Sequence, residues 1–155
     1  MSKTSLKILI ITESIDANDS SATKGRLALI NNLKQCGFEL KVYHYTRKNV
    51  SIEGIDCVLI KEQKINVLYL LSKIQLLIRR IFKINISTLF EKKLGFSFSF
   101  FNDVKSIKKG LDKELDFNPD WILTLSKAAS FRTHKALLKL PQWHSKWLAY
   151  VHDPY

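Results

Sequence analysis

The chain has 155 residues, the size of one ordinary domain, and its 46% hydrophobic content can build a sizeable core, which excludes a disordered or collagen-like protein. Twenty-five lysines and arginines against 14 acidic residues give a net charge of +11. This charge favours polyanionic partners such as a phosphate-rich ligand, an anionic membrane face or nucleic acid, but it does not choose among them.

The first predicted elements are a buried strand, a polar loop and a helix. Residues 6–11 (LKILII) form a short, almost wholly apolar run, as expected of a parallel strand that is covered on both faces. Residues 12–22 are polar. Apolar side chains then recur at three-residue spacing from Leu27 to Cys36, and Gly37 supplies a helix stop.

Four further strands and a second helix follow this first unit. The strands are predicted at residues 39–45, 56–60, 121–125 and 146–151, and a helical pattern covers residues 128–140. Strands that alternate with helices specify a mainly parallel sheet covered on both faces. The predicted fold class is therefore α/β, a Rossmann-like three-layer domain, with residues 1–155 as a single domain.

A basic amphipathic helix is predicted at residues 67–84. Its apolar face comprises Val67, Leu70, Leu71, Ile74, Leu77, Ile78, Ile81 and Phe82. Its other face carries the candidate membrane contacts Lys73, Arg79, Arg80 and Lys83. Either the apolar face packs on the domain core, or the helix lies on an anionic membrane surface with Leu68 and Leu76 partly inserted. The aromatic-rich residues 94–101 that follow fit a strand or a loop that caps the core.

Two features bear on the compartment. Cys36 and Cys57 have neither CxxC spacing nor the context of a secreted scaffold, so we expect reduced thiols and a cytoplasmic setting. No stretch reaches the roughly 18 uncharged apolar residues that a spanning helix needs. The expected location is the cytoplasm, with peripheral contact to the inner membrane as the second interpretation.

The loop after the first strand is the first candidate site. Ser20, Ser21, Lys24 and Gly25 stand where a helix begins, and free amides at a helix amino terminus attract anions. Arg26 would add charge. The alternative is that a serine in this loop only caps the helix. No GxGxxG or GxxxxGK[ST] motif is present, so a dinucleotide or P-loop site has no motif support.

Two further candidate sites follow predicted strands. His152 and Asp153 come after the fifth strand, and Ser126 and Lys127 come after the fourth. Ligands of open parallel sheets bind beyond the carboxyl ends of the strands, so all four could meet a substrate. The alternatives are an ordinary strand-end turn for the first pair and, for the second, a helix cap at Ser126 or Ser130 with a surface lysine.

Metal ligation is not predicted. The other histidines show no ligand spacing with one another or with the cysteines, so we expect them to be structural or exposed. They are His44, His134 and His144.

Several segments, in their order along the chain, resemble the amino-terminal domain of family 4 type bacterial glycosyltransferases. These segments are KILIITES, SSATKGR, LKQCGFEL, KVYHYTRK, NPDWILTLS and KWLAYVHDPY. The resemblance spans essentially the whole chain. It implies the GT-B fold, in which two Rossmann-like domains face each other, the amino-terminal one receiving the acceptor and the carboxyl-terminal one holding the nucleotide-sugar.

The resemblance also implies roles for individual residues. His152 matches a histidine that faces the reacting sugar, and the loop around Ser20, Ser21, Lys24 and Gly25 matches a loop that faces the donor phosphates and the acceptor. Transfer would be metal-independent, with retention at the anomeric carbon, and would need no cofactor because the nucleotide-sugar is a substrate. The loop lacks the paired glycines of many members. By the resemblance, the donor-binding domain with its EX7E carboxylates would lie outside the chain. The chain alone is therefore not expected to turn over.

Two functions from different classes follow. The first is the acceptor-side domain of a glycosyltransferase of cell-surface polysaccharide synthesis, with a glycan or lipid-linked acceptor and no nucleic acid partner. The alternative is a non-catalytic basic α/β module that binds nucleic acid or another polyanion. Against it, the aromatic residues lie in apolar runs rather than among the cations, and no RRM, KH or helix-turn-helix signature occurs. A flavodoxin-like or receiver-like domain ranks below both because its acidic cluster or phosphate loop is missing.

Overall fold

A parallel sheet forms the centre of the computed structural model, which describes residues 5–83, 91–93, 95–112, 116–127 and 130–151. The strands are β1 (Lys7–Thr12), β2 (Glu39–His44), β3 (Asp56–Leu59), β4 (Trp121–Leu125) and β5 (Trp147–Tyr150). They lie side by side in the order β3-β2-β1-β4-β5, and every pairing is parallel. All five predicted strands are confirmed to within two residues at each end.

Helices cover the sheet on both faces. The described helices are α1 (Ser21–Gln35), α2 (Val67–Phe82), α3 (Phe98–Leu111), α4 (Arg132–Leu137) and a 3-10 helix at Pro141–Lys146. One buried cluster joins α1 to the sheet through Ile30 and Val42, and the other joins α3 and α4 to it through Val104 and Leu137. The predicted α/β class and three-layer, Rossmann-like arrangement are therefore confirmed.

The central strand explains why the first segment is wholly apolar. Leu9, Ile10 and Ile11 of β1 are fully buried, because β1 pairs with a strand on each side and is covered by helices above and below. The α1 boundaries also follow the sequence signals. The Ser20 hydroxyl accepts a hydrogen bond from the Thr23 amide, and Gly37 adopts the left-handed conformation (φ 89°) that ends many helices.

Residues 94–101, the aromatic-rich segment, were predicted to be a strand or a loop that caps the core. This prediction is wrong from Phe98 onwards, where α3 begins. The alternating FSFSF pattern looks like a strand, yet Ser97 caps α3 by accepting a hydrogen bond from the Phe100 amide. Phe100 then begins a helical series of buried side chains, and its ring stacks on that of Phe96 with centroids 4.0 Å apart. The helix predicted at residues 128–140 is also shorter in its described part, where α-helix runs over Arg132–Leu137 and Pro141 starts a separate 3-10 helix. Residues 128 and 129 lie outside the described residues.

The basic amphipathic helix is confirmed as α2. Only part of its predicted apolar face packs on the rest of the domain. The helix packs on α3, and Asn66, its amino-terminal cap, donates a hydrogen bond from Nδ2 to Asn102 Oδ1 over 2.8 Å. Leu71 and Ile78 are half-buried, whereas Leu70 and Leu77 are exposed. Among the described residues, no helix is long and apolar enough to cross a membrane.

Candidate functional site

The carboxyl ends of three neighbouring strands surround a pocket of about 550 Å³. The chain leaves β1 towards the face that α1 covers, whereas α3 and α4 cover the opposite face. This divergence opens a crevice at the ends of β1 and β4, which is where open parallel sheets bind their ligands. The lining residues are Glu13, Ser14, Asp16, Asn18, Asp19, Tyr45, Thr46, Arg47, Lys48, Asp103, Lys127 and Arg132.

Asp103 of α3 connects the groups on one wall of the pocket. Its Oδ1 accepts a hydrogen bond from the Tyr45 hydroxyl at 2.9 Å and from Arg47 Nη2 at 3.2 Å, and its Oδ2 accepts from Arg132 Nε at 2.9 Å. Asp103 and Tyr45 are both buried. Burial and the neighbouring Asp103 charge raise the pKa of Tyr45, which therefore stays a neutral hydrogen-bond donor. These hydrogen bonds connect α3 to the first residue of α4 and to the residues that follow β2.

Glu13, the residue directly after β1, also lines the pocket. Its side chain is only 10% exposed. Oε1 accepts a hydrogen bond from the Ser130 hydroxyl at 2.6 Å, and Oε2 lies 3.3 Å from Arg132 Nη1. Burial raises the pKa of Glu13 against the opposing effects of Ser130 and Arg132. A carboxyl group of this kind can accept or return a proton closer to neutral pH than an exposed glutamate can.

Ion pairs line the rim. Lys48 Nζ lies 2.9 Å from Asp16 Oδ2, and Lys127 Nζ lies 2.6 Å from Asp19 Oδ2. The hydrogen bonds from these lysines hold the pKa values of Asp16 and Asp19 below the ordinary aspartate value. The lining contains four acidic and four basic side chains, and each basic one is paired. The pocket is thus close to neutral although the chain carries a net charge of +11.

Of the residues that sequence analysis placed after β4, Lys127 lines the pocket and Ser126 does not. Ser126 is buried, and its carbonyl accepts a hydrogen bond from Arg26 Nη1 at 3.0 Å. Neither Ser126 nor Ser130 caps α4, whose first turn has no side-chain cap. The helix-cap alternative is therefore wrong for both serines.

The four candidate residues Ser20, Ser21, Lys24 and Gly25 lie at the start of α1 and do not line the pocket. Ser20 caps α1, so the capping alternative is confirmed for it. Ser21, Lys24 and Gly25 lie within the first turns of α1 and are exposed. Their role at the amino terminus of a helix remains a prediction.

Arg26, unlike the exposed residues of the same turns, is buried and hydrogen-bonded within the domain. It is 2% exposed, and besides Ser126 its guanidinium donates from Nη2 to the Thr23 hydroxyl at 2.8 Å. Desolvation lowers its pKa. Arg26 therefore ties α1 to the end of β4 and is not presented to a ligand.

His152 and Asp153 lie outside the described residues. The described chain reaches Val151, directly after β5, whose Tyr150 pairs with Leu125 at the end of β4. The role that the resemblance implies for His152 stays a prediction.

Two of the remaining histidines are buried and bonded. His44 Nδ1 lies 2.8 Å from the Thr46 hydroxyl, and His134 Nδ1 lies 2.6 Å from the Thr124 hydroxyl. Desolvation lowers the pKa of both, so they are neutral core residues, and of the two expectations, structural or exposed, the structural one holds for them. Within the described ranges, no group of three or more His, Cys, Asp or Glu residues is arranged to hold a metal ion.

Four groups of the pocket, Glu13, Tyr45, Asp103 and Arg132, were not among the predicted site residues. Glu13 and Tyr45 directly follow the observed strands β1 and β2, and the predicted strands end within two residues of them. The strand-end argument that selected Lys127 could therefore have selected them too. Asp103 and Arg132 had no such signal, because α3 was not predicted and the start of α4 was misplaced.

Comparison with known proteins adds no assignment: no family model, no curated protein and no solved structure matches the chain. The glycosyltransferase resemblance therefore rests on the sequence segments quoted above.

Proposed function

We propose that the chain is the acceptor-side domain of a GT-B type glycosyltransferase that transfers a sugar from a nucleotide-sugar to a glycan or lipid-linked acceptor in cell-surface polysaccharide synthesis. The observation that carries the proposal is the charge-balanced pocket at the carboxyl ends of β1, β2 and β4. The order of the family-like segments supports it independently from the sequence.

The chemistry of the pocket suits a neutral ligand with many hydroxyl groups. A phosphate would meet the Glu13, Asp16, Asp19 and Asp103 carboxylates, and the neighbouring cations are already paired with them. Sugar hydroxyls both donate and accept hydrogen bonds, so they can join such pairs without separating charges. We therefore assign the pocket to the acceptor glycan, and the polyanion alternative gains no support here.

The donor would be held elsewhere. In the proposed arrangement a second domain, outside this chain, binds the nucleotide-sugar, and His152 faces the reacting sugar. Leu148, Tyr150 and Val151 are exposed at the β5 edge, an apolar surface that a neighbouring element of a larger protein would cover. Transfer with retention and without a metal ion follows from the resemblance alone.

Amide NMR of the chain with a panel of glycans tests the pocket assignment. We expect shifts at Ser14, Asp16 and Arg47 and none at Lys61 or Lys109, which line a separate cavity of about 400 Å³ beside β3. A glycan that shifts only the second set would contradict the assignment. So would polyphosphate or oligonucleotides that shift the first set when no glycan does.

A matched pair of substitutions refines this test. Asn18→Ala removes an amide from the pocket lining, whereas Asn31→Ala removes one from the exposed surface of α1. Glycan affinity should fall several-fold in the first variant and stay unchanged in the second. Equal affinities in both variants would remove Asn18 from the binding surface.

The catalytic part needs a longer form of the protein, with a donor-binding domain joined after this chain. In a radiolabelled sugar-transfer assay, His152→Ala should lose most turnover, and His144→Ala, on the 3-10 helix, should retain it. Unchanged turnover in His152→Ala would exclude a role at the reacting sugar.

A further inference from the structure

Helix α2 exposes an apolar stripe that the described residues leave uncovered. The stripe consists of Val67, Leu70, Ile74, Leu77 and Ile81, which recur at spacings of three and four and are 71%, 59%, 42%, 55% and 61% exposed. A helix that only packs on a core buries such a series. The residues of α2 that are buried or half-buried, such as Ser72 and Leu71, lie on a different side of the helix. The stripe is therefore not the surface by which α2 packs on the domain.

Cations accompany the stripe. Helix α2 contains Lys73, Arg79 and Arg80 and no acidic residue, and Lys83 follows at its carboxyl-terminal cap. At about 100° per residue, Lys73 and Arg80 lie about 80° to 100° from the centre of the stripe, along one flank. Both are exposed, so their ammonium and guanidinium groups can reach an adjacent surface while their aliphatic stems cover apolar area.

We propose that this face of α2, the stripe together with Lys73 and Arg80, docks on an anionic lipid bilayer. The charge complementarity decides the occupant: a bilayer with anionic headgroups offers negative charge beside an apolar interior. A second copy of the chain would bring like charges together, and nucleic acid offers no apolar layer for leucine and isoleucine. The helix lies in the membrane plane, because 16 residues span about 24 Å, less than the roughly 30 Å hydrocarbon core.

Helix α2 is attached to α3, so docking of α2 would also set the orientation of the domain on the membrane. Asn66 at its start is bonded to Asn102 of α3, and α3 also carries Asp103 of the pocket wall. The helix is therefore fixed relative to the pocket. This inference does not depend on the proposed sugar transfer, although a pocket held at the membrane surface would be close to a lipid-linked acceptor.

Vesicle flotation with the whole chain tests the proposal. Wild type should float with vesicles of equal parts phosphatidylglycerol and phosphatidylcholine and stay unbound with phosphatidylcholine alone. Lys73→Glu/Arg80→Glu should weaken binding at least tenfold. Leu70→Gln/Leu77→Gln, which leaves the charge unchanged, should weaken it at least fivefold because the apolar contribution is lost.

The control reverses two exposed cations outside α2. Lys105→Glu/Lys139→Glu makes the same change in net charge on α3 and beyond α4, and its binding should stay within twofold of wild type. All substituted side chains are exposed, and circular dichroism with thermal unfolding verifies that each variant folds.

Three results would overturn the inference. The first is no binding of wild type to anionic vesicles. The second is equal loss in both charge-reversal variants with none in the leucine variant, which would show a general effect of the +11 charge. The third is a dimer, measured by light scattering, that the leucine variant dissociates while vesicle binding is unchanged. None of these results bears on glycan binding in the pocket, so the two proposals fail separately.

Discussion

Asp103 Oδ2 and Arg132 Nε are joined by a 2.9 Å hydrogen bond that connects α3 to the first residue of α4. The same guanidinium reaches Glu13 at the end of β1. One arginine thus links two helices and the central strand, and the pocket wall keeps its shape because buried or half-buried charges oppose one another across it.

Loss of the Asp103 carboxylate should destabilise the protein. Asp103→Ala removes the carboxylate that accepts hydrogen bonds from the buried Tyr45 hydroxyl and from Arg132 Nε, at a cost of about 2 to 3 kcal/mol in the free energy of unfolding. Urea denaturation followed by circular dichroism measures this change. Asp112→Ala is the control, because it removes a partly exposed pair with Lys108 that contributes under about 0.5 kcal/mol. Equal changes in the two variants would contradict the role of Asp103.

Gly25→Ala should stabilise the protein. Gly25 lies inside α1, and a Cβ built on it would meet nothing within 4 Å. Alanine improves helix propensity and restricts the unfolded chain, so we expect a gain of about 0.5 to 1 kcal/mol. Gly37→Ala is the opposite case, because φ is +89° there, and it should cost about 1 kcal/mol. Thermal unfolding of both variants tests the contrast, and a loss of stability in Gly25→Ala would show that the glycine is needed at that position.

Glu13→Gln should change how stability depends on pH. Burial raises the pKa of Glu13 above 4.5, so the unfolded state releases this proton more readily than the folded state does. The wild-type carboxylate therefore costs stability as pH rises from below 4.5 through the raised folded pKa, and glutamine does not titrate. The difference in unfolding free energy, variant minus wild type, should increase across that window in urea titrations. A difference that is flat or falls with pH would contradict the raised pKa.

Acid should destabilise the protein through His134. Burial lowers the pKa of His134 below 6.5, so the folded state holds the ring neutral while the unfolded state takes up a proton. The stability that the neutral ring provides is complete above about pH 6.5 and is lost as pH falls towards the lowered folded pKa. His134→Gln, which can keep a hydrogen bond to Thr124, should flatten this acid limb of the unfolding curve. The same slope in variant and wild type would rule His134 out as its source.

The sequence predicted the strands more completely than the helices. Strand β1 was predicted because a strand that is buried on both faces needs a continuous apolar run, and such a run is visible without any tertiary information. Helix α3 was missed because Phe96, Ser97 and Phe98 alternate with the period of a strand, and only the Ser97 cap and the packing of Phe100 favour the helix.

In the candidate site, the sequence indicated the position of one residue but not the partners that the fold brings to it. Lys127 was selected by its place after β4, but its pairing with Asp19, 108 positions away, depends on which strand ends become neighbours. The strand order puts β4 beside β1, so Glu13 comes within reach of Ser130 and Arg132.

By itself, the sequence determined the α/β class, the parallel strands and the basic amphipathic helix, since these depend on local periodicity and composition. The tertiary structure alone decided that the pocket is nearly neutral and that the apolar stripe of α2 stays exposed. Both are outcomes of long-range packing: charges neutralise where distant elements meet, and a helix buries only the face that a neighbouring element can cover.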